Sequence, residues 1–201
     1  MILGIIQGRL SDPKSGHQTT PDNWEEEFVK IKEIELNHLE WNIDFNKNFD
    51  NPVLHDSRIK DYSHLISSVC FDTLVTEKVF DEKYFQKQTY HHTEMILKNQ
   101  INRVTFPLLE DAEISNDTKL RKIIKILSDY HKNFPSIEIN LELDCSVDNV
   151  ENILSEVDCQ LTYDTGNLTH KKINHLLYIE KFFNRINNVH LKDRSFKTGE
   201  S

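Results

Sequence analysis

From its first residues to its last, the chain alternates short apolar stretches of strand length with longer amphipathic stretches of helix length. Strands are predicted at Leu3 to Gln7, Leu39 to Ile43, Ser67 to Phe71, Arg103 to Leu108, Ile137 to Leu143, Gln160 to Tyr163 and Asn188 to Leu191. Helices are marked by Trp24, Phe28 and Ile31, by Leu120, Ile123, Ile124 and Leu127, by Val147, Val150, Leu154 and Val157, and by Ile173, Leu176 and Leu177. Ser115, Asn116 or Asp117 can cap the second of these. The connection from Asp44 to Leu65 is weakly periodic and reads as loop plus a short helix. Repeated strand-helix-strand passages call for parallel pairing, because only a crossover of helix length returns the chain to the same end of the sheet.

Seven such units of roughly 29 residues approach the roughly 31 per unit of an eight-fold β/α barrel of about 250 residues. The expected fold class is therefore α/β, a TIM (β/α)8-type barrel with seven β/α units present and the eighth missing from this chain. No linker-like stretch divides it, so residues 1–201 read as a single domain. A doubly wound open sheet is the alternative. Against it, the first strand ends in Gln7-Gly8-Arg9, with neither a Gly-x-Gly-x-x-Gly run nor a phosphate-cradling lysine loop.

The chain carries 33 Asp and Glu against 24 Lys and Arg, a net charge of -9, which disfavours nucleic acid and anionic membranes as partners and points to small-molecule chemistry. The apolar runs are too short to span a bilayer, and residues 1–13 show no basic leader or cleavage pattern, so a cytoplasmic location is expected. Cys70, Cys145 and Cys159 lie in apolar runs without Cys-x-x-Cys spacing and read as reduced core residues.

In a barrel strand one face meets the helices and the other the interior, and chemistry sits at the C-terminal ends. Along residues 137–144, Ile137, Ile139, Leu141 and Leu143 suit the helix side, leaving Glu138, Asn140, Glu142 and Asp144 inward or upward. Thr162 and Asp164 share that register in residues 161–164, as do Asn188, His190 and Lys192 in 188–193, with Val189 and Leu191 outward. Taken singly, Asp164 reads as a turn acid or helix N-cap, with Gly166 permitting a tight turn after it; His190 reads as a hydrogen-bonded core histidine and Glu142 as a rim carboxylate. Together they form a two-carboxylate, one-imidazole set suited to one divalent cation of the Mn, Mg, Co or Zn kind. Buried charges need such a partner, because desolvation costs several kcal/mol. The runs Glu25-Glu26-Glu27 and Lys171-Lys172 read as solvated helix faces.

The segments GIIQGRLS (4–11), EWN (40–42), PLLE (107–110), LELD (141–144), LTYDTGN (161–167), VHLKDR (189–194) and GES (199–201) resemble, in order, the xylose-isomerase-like barrel family of sugar and sugar-phosphate isomerases and epimerases. The resemblance implies that Glu142, Asp164 and His190 bind one divalent metal, with a fourth ligand expected on an eighth strand. It implies a sugar or sugar phosphate held through vicinal oxygens, an enediolate stabilised by the metal, Glu142 as base as well as ligand, and Lys192 polarising a substrate oxygen. Substrate contacts are expected from Gln7, Arg9, Glu40, Trp41, Asn167 and Arg194. Arg9 and Arg194 suit a phosphate or an ordinary loop salt bridge, and Trp41 a sugar site or a packed core.

Two rivals follow from the same fold. A catalytically impaired remnant or binding module would keep the pocket without turnover. An abasic-site endonuclease would need several ions and further ligands, for which the early strand ends offer only Glu40, Asp72 and Glu110. A barrel lacking its eighth unit exposes edges at strands one and seven, so self-association or a complementing chain is expected there.

Overall fold

The computed structural model describes residues 2–11, 20–44 and 51–192. In chain order its elements are β1 (Gly4–Ile6), α1 (Glu25–Glu33), β2 (His38–Asn42), α2 (Pro52–His55), a 3-10 stretch over Ser57–Leu65, β3 (Ile66–Cys70), α3 (Glu82–Lys98), β4 (Arg103–Leu108), α4 (Asp117–Asn133), β5 (Glu138–Leu143), α5 (Val147–Glu156), β6 (Gln160–Asp164), α6 (Thr165–His170), α7 (His175–Phe182) and β7 (Ile186–His190). The strands form one sheet in the order β1-β2-β3-β4-β5-β6-β7. The pairs β1–β2, β2–β3, β5–β6 and β6–β7 are parallel, as crossover helices require. No eighth strand occurs among the described residues.

The chain gathers into two compact units, residues 1–73 with 88–104, and residues 74–87 with 105–201. In the first, α1 packs an aromatic cluster onto β2. Phe28 stacks on Trp41 at 5.7 Å and on Tyr62 at 4.5 Å, Trp24 meets both Phe28 and Trp41 edge-on, and the Arg58 guanidinium sits 5.4 Å from the Trp24 ring. Each ring buried this way contributes about 1.5–3 kcal/mol in apolar area alone. Trp41 Nε1 donates to Asn51 Oδ1, and Asn51 Nδ2 donates to the Asn42 carbonyl, so the α2 cap also closes the polar end of the indole.

Glu27 is a correction to the expected solvated run: its carboxylate is fully buried and accepts from the Gly8 N–H at 2.9 Å and from the Ser11 hydroxyl. It thereby pins the loop after β1, where Gly8 has φ 77°, to the body of α1.

In the second unit, α4 buries Leu120, Ile123, Ile126, Leu127 and Tyr130. Asn116 caps it by accepting from the Thr118 and Lys119 N–H groups. Tyr130 packs edge-on against Phe85 and Phe106, and α5, capped by Ser146, buries Val150 and Ile153. The three cysteines are free and buried.

The stretch after β6 departs from expectation three times. Gly166 lies inside α6, not in a turn; a Cβ there would stand 2.9 Å from Lys192 Cβ, so close approach and not chain reversal demands glycine. The helix expected on Ile173, Leu176 and Leu177 is α7, whose buried side chains are Tyr178 and Phe182; Leu176 is 72% exposed. Lys171 is likewise no solvated lysine: its Nζ lies 2.8 Å from Glu113 Oε2 and 3.6 Å from Asp144 Oδ2.

Candidate metal centre

On β5, Ile139, Leu141 and Leu143 are buried on one face, and Asn140 and Glu142 project to the other by the period-two rule. The register pairs Glu142 with Thr162 on β6, and Asp164 with His190 on β7. Three neighbouring strands therefore bring Glu142, Asp164 and His190 together within the second unit. His190 Nδ1 lies 3.4 Å from Glu142 Oε2 and 3.6 Å from Asp164 Oδ2. Lys192, just past β7, places Nζ 2.6 Å from Asp164 Oδ2 and 3.9 Å from Glu142 Oε1.

The carboxylates are out of water: Glu142 is 4% exposed and Asp164 0%. Burial pushes the Glu142 carboxyl above its ordinary value, with His190 and Lys192 pulling against that shift. Burial would raise Asp164 too, but hydrogen bonds with His190, Lys192 and the Asn167 N–H prevail and hold it well below the usual carboxylate range. Two neighbouring carboxyls are thus driven apart, one toward proton affinity and the other toward permanent charge.

One ligand atom from each of Glu142, Asp164 and His190 lies within 4.8 Å of the others, and this is the only group of three or more metal-ligating side chains among the described residues. Donors on one ion at bond lengths of about 2.0–2.2 Å stand up to about 4.4 Å apart, so the set fits a single small divalent ion after a slight closure. Its mixed oxygen and nitrogen chemistry suits Mg, Mn, Co or Zn.

Around this core the structure adds partners. Asn167, expected to touch substrate, donates from Nδ2 to Glu142 Oε1 at 2.6 Å and from its N–H to Asp164 Oδ1 at 2.8 Å. The latter bond makes Asp164 the N-cap of α6, so the capping role read from the sequence is realised. Thr165, which no pattern singled out, bonds through Oγ1 to the Lys192 main chain. Asp144 is buried beside Lys171, and burial raises its carboxyl pKa. Deeper on the same strands the side chains of Asn140 and Thr162 are buried, as the inward alternation implied.

The other expected site residues lie in the first unit or beyond the described residues. Glu40 accepts from Ser68 Oγ at 2.6 Å and is buried, as is Gln7. Arg9 is exposed. Of the two readings of Trp41, the structure shows the packed one: it is fully buried on the helix side of β2 against Phe28 and Trp24. Arg194 lies outside the described residues. Glu110, a ligand candidate under the endonuclease reading, is exposed after β4.

No family model and no curated protein sequence matches the chain. Among solved structures it is similar to a 3-keto-D-glucoside 4-epimerase from E. coli in its apo form, at 15% identity and TM-score 0.66, covering 96% of this chain and 80% of that one. A sugar phosphate isomerase/epimerase from Parabacteroides distasonis matches at 14% identity and TM-score 0.70, with coverages of 96% and 78%. A xylose isomerase-like TIM barrel protein from Mycobacterium smegmatis in complex with magnesium matches at 16% and 0.59, with coverages of 99% and 78%. At such identities these likenesses show the fold, and the fold of this chain is the xylose-isomerase-like TIM barrel.

Proposed function

We propose that the chain is a metal-dependent isomerase or epimerase of a sugar or sugar phosphate, moving a proton on carbon beside a carbonyl. The observation that carries this reading is the convergence of the buried Glu142 and Asp164 with the partly buried His190, ligand atoms within 4.8 Å, at the C-terminal ends of β5, β6 and β7. That the similar structures include a sugar epimerase, a sugar phosphate isomerase/epimerase and a magnesium complex supports it.

The three side chains would hold one Mn, Mg, Co or Zn ion, which supplies Lewis acidity for a substrate oxygen when bound. Asp164, kept ionised, contributes fixed negative charge. Glu142, the more basic of the two carboxyls, takes the proton and returns it. Lys192 keeps its side chain 45% exposed and offers N–H donors to a substrate oxygen gaining charge. Gln7, Arg9, Glu40 and Arg194 enter as substrate contacts through the sequence resemblance, the arginines as phosphate partners.

A complementing segment belongs to the proposal. Val189 and Leu191 at β7 are 48% and 79% exposed, with Leu176, Leu177 and Phe183 exposed on the neighbouring α7 and its sequel. The similar structures extend beyond what this chain covers. We read the β7 edge as the seat of a further strand and helix. Buried free thiols accord with a cytoplasmic setting.

The test follows proton exchange between deuterated water and a panel of ketoses, aldoses and their phosphates by NMR, with Mn(II) present. Exchange that is lost in Glu142→Gln while the fold persists is the expected result. Exchange undiminished in that variant removes Glu142 as the base. A metal-loaded wild type that exchanges no substrate of the panel favours the impaired-remnant reading.

A further inference from the structure

We infer that Thr165 and Asn167 are positioning residues which lock β5, β6 and β7 in the spacing the three ligands need; the inference rests on the metal-centre reading above. Both belong to α6, which starts at the residue after Asp164 with no intervening loop. Asn167 reaches two ligands at once. Its side-chain amide donates to Glu142 Oε1 at 2.6 Å, and its main-chain N–H donates to Asp164 Oδ1 at 2.8 Å. One oxygen of each carboxylate is thereby tied back. The other two, Glu142 Oε2 and Asp164 Oδ2, face His190 Nδ1 at 3.4 and 3.6 Å. Helix capping accounts for the bond to Asp164 but not for the bond to Glu142, which crosses to another strand.

Thr165 performs the corresponding task on β7. That strand's ladder ends at His190, and beyond it the main chain bonds to a hydroxyl of α6. Thr165 Oγ1 accepts from the Lys192 N–H at 2.9 Å and lies 2.9 Å from the Lys192 carbonyl oxygen and 3.3 Å from that of His190, either of which can take its single proton. Gly166, between the two positioning residues, permits this contact, because any Cβ would press on Lys192 Cβ. Three consecutive residues therefore serve three strands. Their partners are all fixed by the fold and not by a substrate, which places Asn167 behind the ligands. Groups that orient metal ligands from behind typically change affinity by about 10–100-fold when removed.

The test uses the full chain and the variants Asn167→Ala, Thr165→Val and Thr165→Ser, each with a thermal melt to confirm folding. Calorimetric titration with Mn(II) alone is the first measurement: affinity is expected to fall about tenfold in Asn167→Ala and Thr165→Val and to stay within about twofold of wild type in Thr165→Ser, which keeps the hydroxyl. The second needs no metal: exchange of the Lys192 amide hydrogen is expected to accelerate about tenfold in Thr165→Val and not in Thr165→Ser. Wild-type affinity in Asn167→Ala and Thr165→Val overturns the inference. So does an equal loss in Thr165→Ser and Thr165→Val, or unchanged Lys192 exchange in Thr165→Val. If the wild type itself binds no Mn(II), the metal-centre reading falls, and the exchange measurement alone decides whether Thr165 holds β7. Should Thr165→Val fail to fold, Asn167→Ala carries the decision.

Discussion

Replacing Gly166 by alanine sets two effects of known size against each other. In an open helix the change stabilises, because glycine costs about 0.5–1 kcal/mol relative to alanine. Gly166 is the second residue of α6, near the helix start, so the gain lies at or below the lower end of that range. Opposing it, the new methyl would stand 2.9 Å from Lys192 Cβ, 3.3 Å from Asp164 Oδ1 and 3.4 Å from Lys192 Cδ. Carbon pairs settle at about 3.5–4.0 Å, so the methyl arrives well inside that distance. Lys192 Cβ is fixed to a main chain held by Thr165 and cannot swing aside as a flexible chain end would. Overpacking of this kind costs about 1–3 kcal/mol. The clash wins, and net destabilisation of about 1 kcal/mol is expected, a fall in Tm of about 2–4 °C for a chain of this length. Circular dichroism melts check the sign. A Gly166→Ala chain with a higher Tm than wild type would refute the claim that close approach to β7 dictates glycine there.

Three further outcomes follow from other parts of the molecule. Glu27→Ala strands a Gly8 N–H that the carboxylate now satisfies and is expected to cost about 1–3 kcal/mol in urea unfolding, with Glu27→Gln losing less because one acceptor remains. Burial pushes the Cys145 and Cys159 thiols up to about 12, so neither should react with Ellman's reagent at pH 8 until the chain unfolds; rapid labelling of the native protein would contradict their burial. Burial lowers the His92 pKa, so its folded state resists protonation: stability is present above the unfolded value near 6.5 and is lost as pH falls through it toward the folded value. Replacing His92, which stacks on Phe71, by phenylalanine should flatten the decline in Tm between pH 7 and pH 5, and an unchanged decline would exclude His92 as its source.

How far the sequence led can be seen residue by residue. Strand β4 falls on Arg103–Leu108 as expected, and the alternation along β5 correctly sent Leu141 and Leu143 one way and Glu142 the other, because a period of two is a local property of the backbone. The cluster of Glu142, Asp164 and His190 was legible for the same reason: each is an inward residue near the end of its own strand.

Contacts between distant residues were not legible. Asn167 meets Glu142 across 25 positions and Thr165 meets Lys192 across 27, and no local pattern encodes which side chain a neighbouring strand will present. Glu27 carried a signal that its acidic neighbours masked. It lies three residues from Trp24 and four before Ile31, on the buried stripe of α1, so helical spacing placed it inward while composition suggested solvent. Leu176 and Leu177 misled in the opposite direction, since apolar character marks a face that wants cover without naming what covers it.

The central claim is that Glu142, Asp164 and His190 form one metal centre, and the stoichiometry of Mn(II) binding tests it most directly. Calorimetry on the metal-stripped chain is expected to show one ion per chain, with binding weakened at least about tenfold in His190→Ala, since removal of one of three protein ligands leaves the ion undercoordinated. Equal affinity in wild type and His190→Ala, or several ions bound per chain, would contradict the assignment.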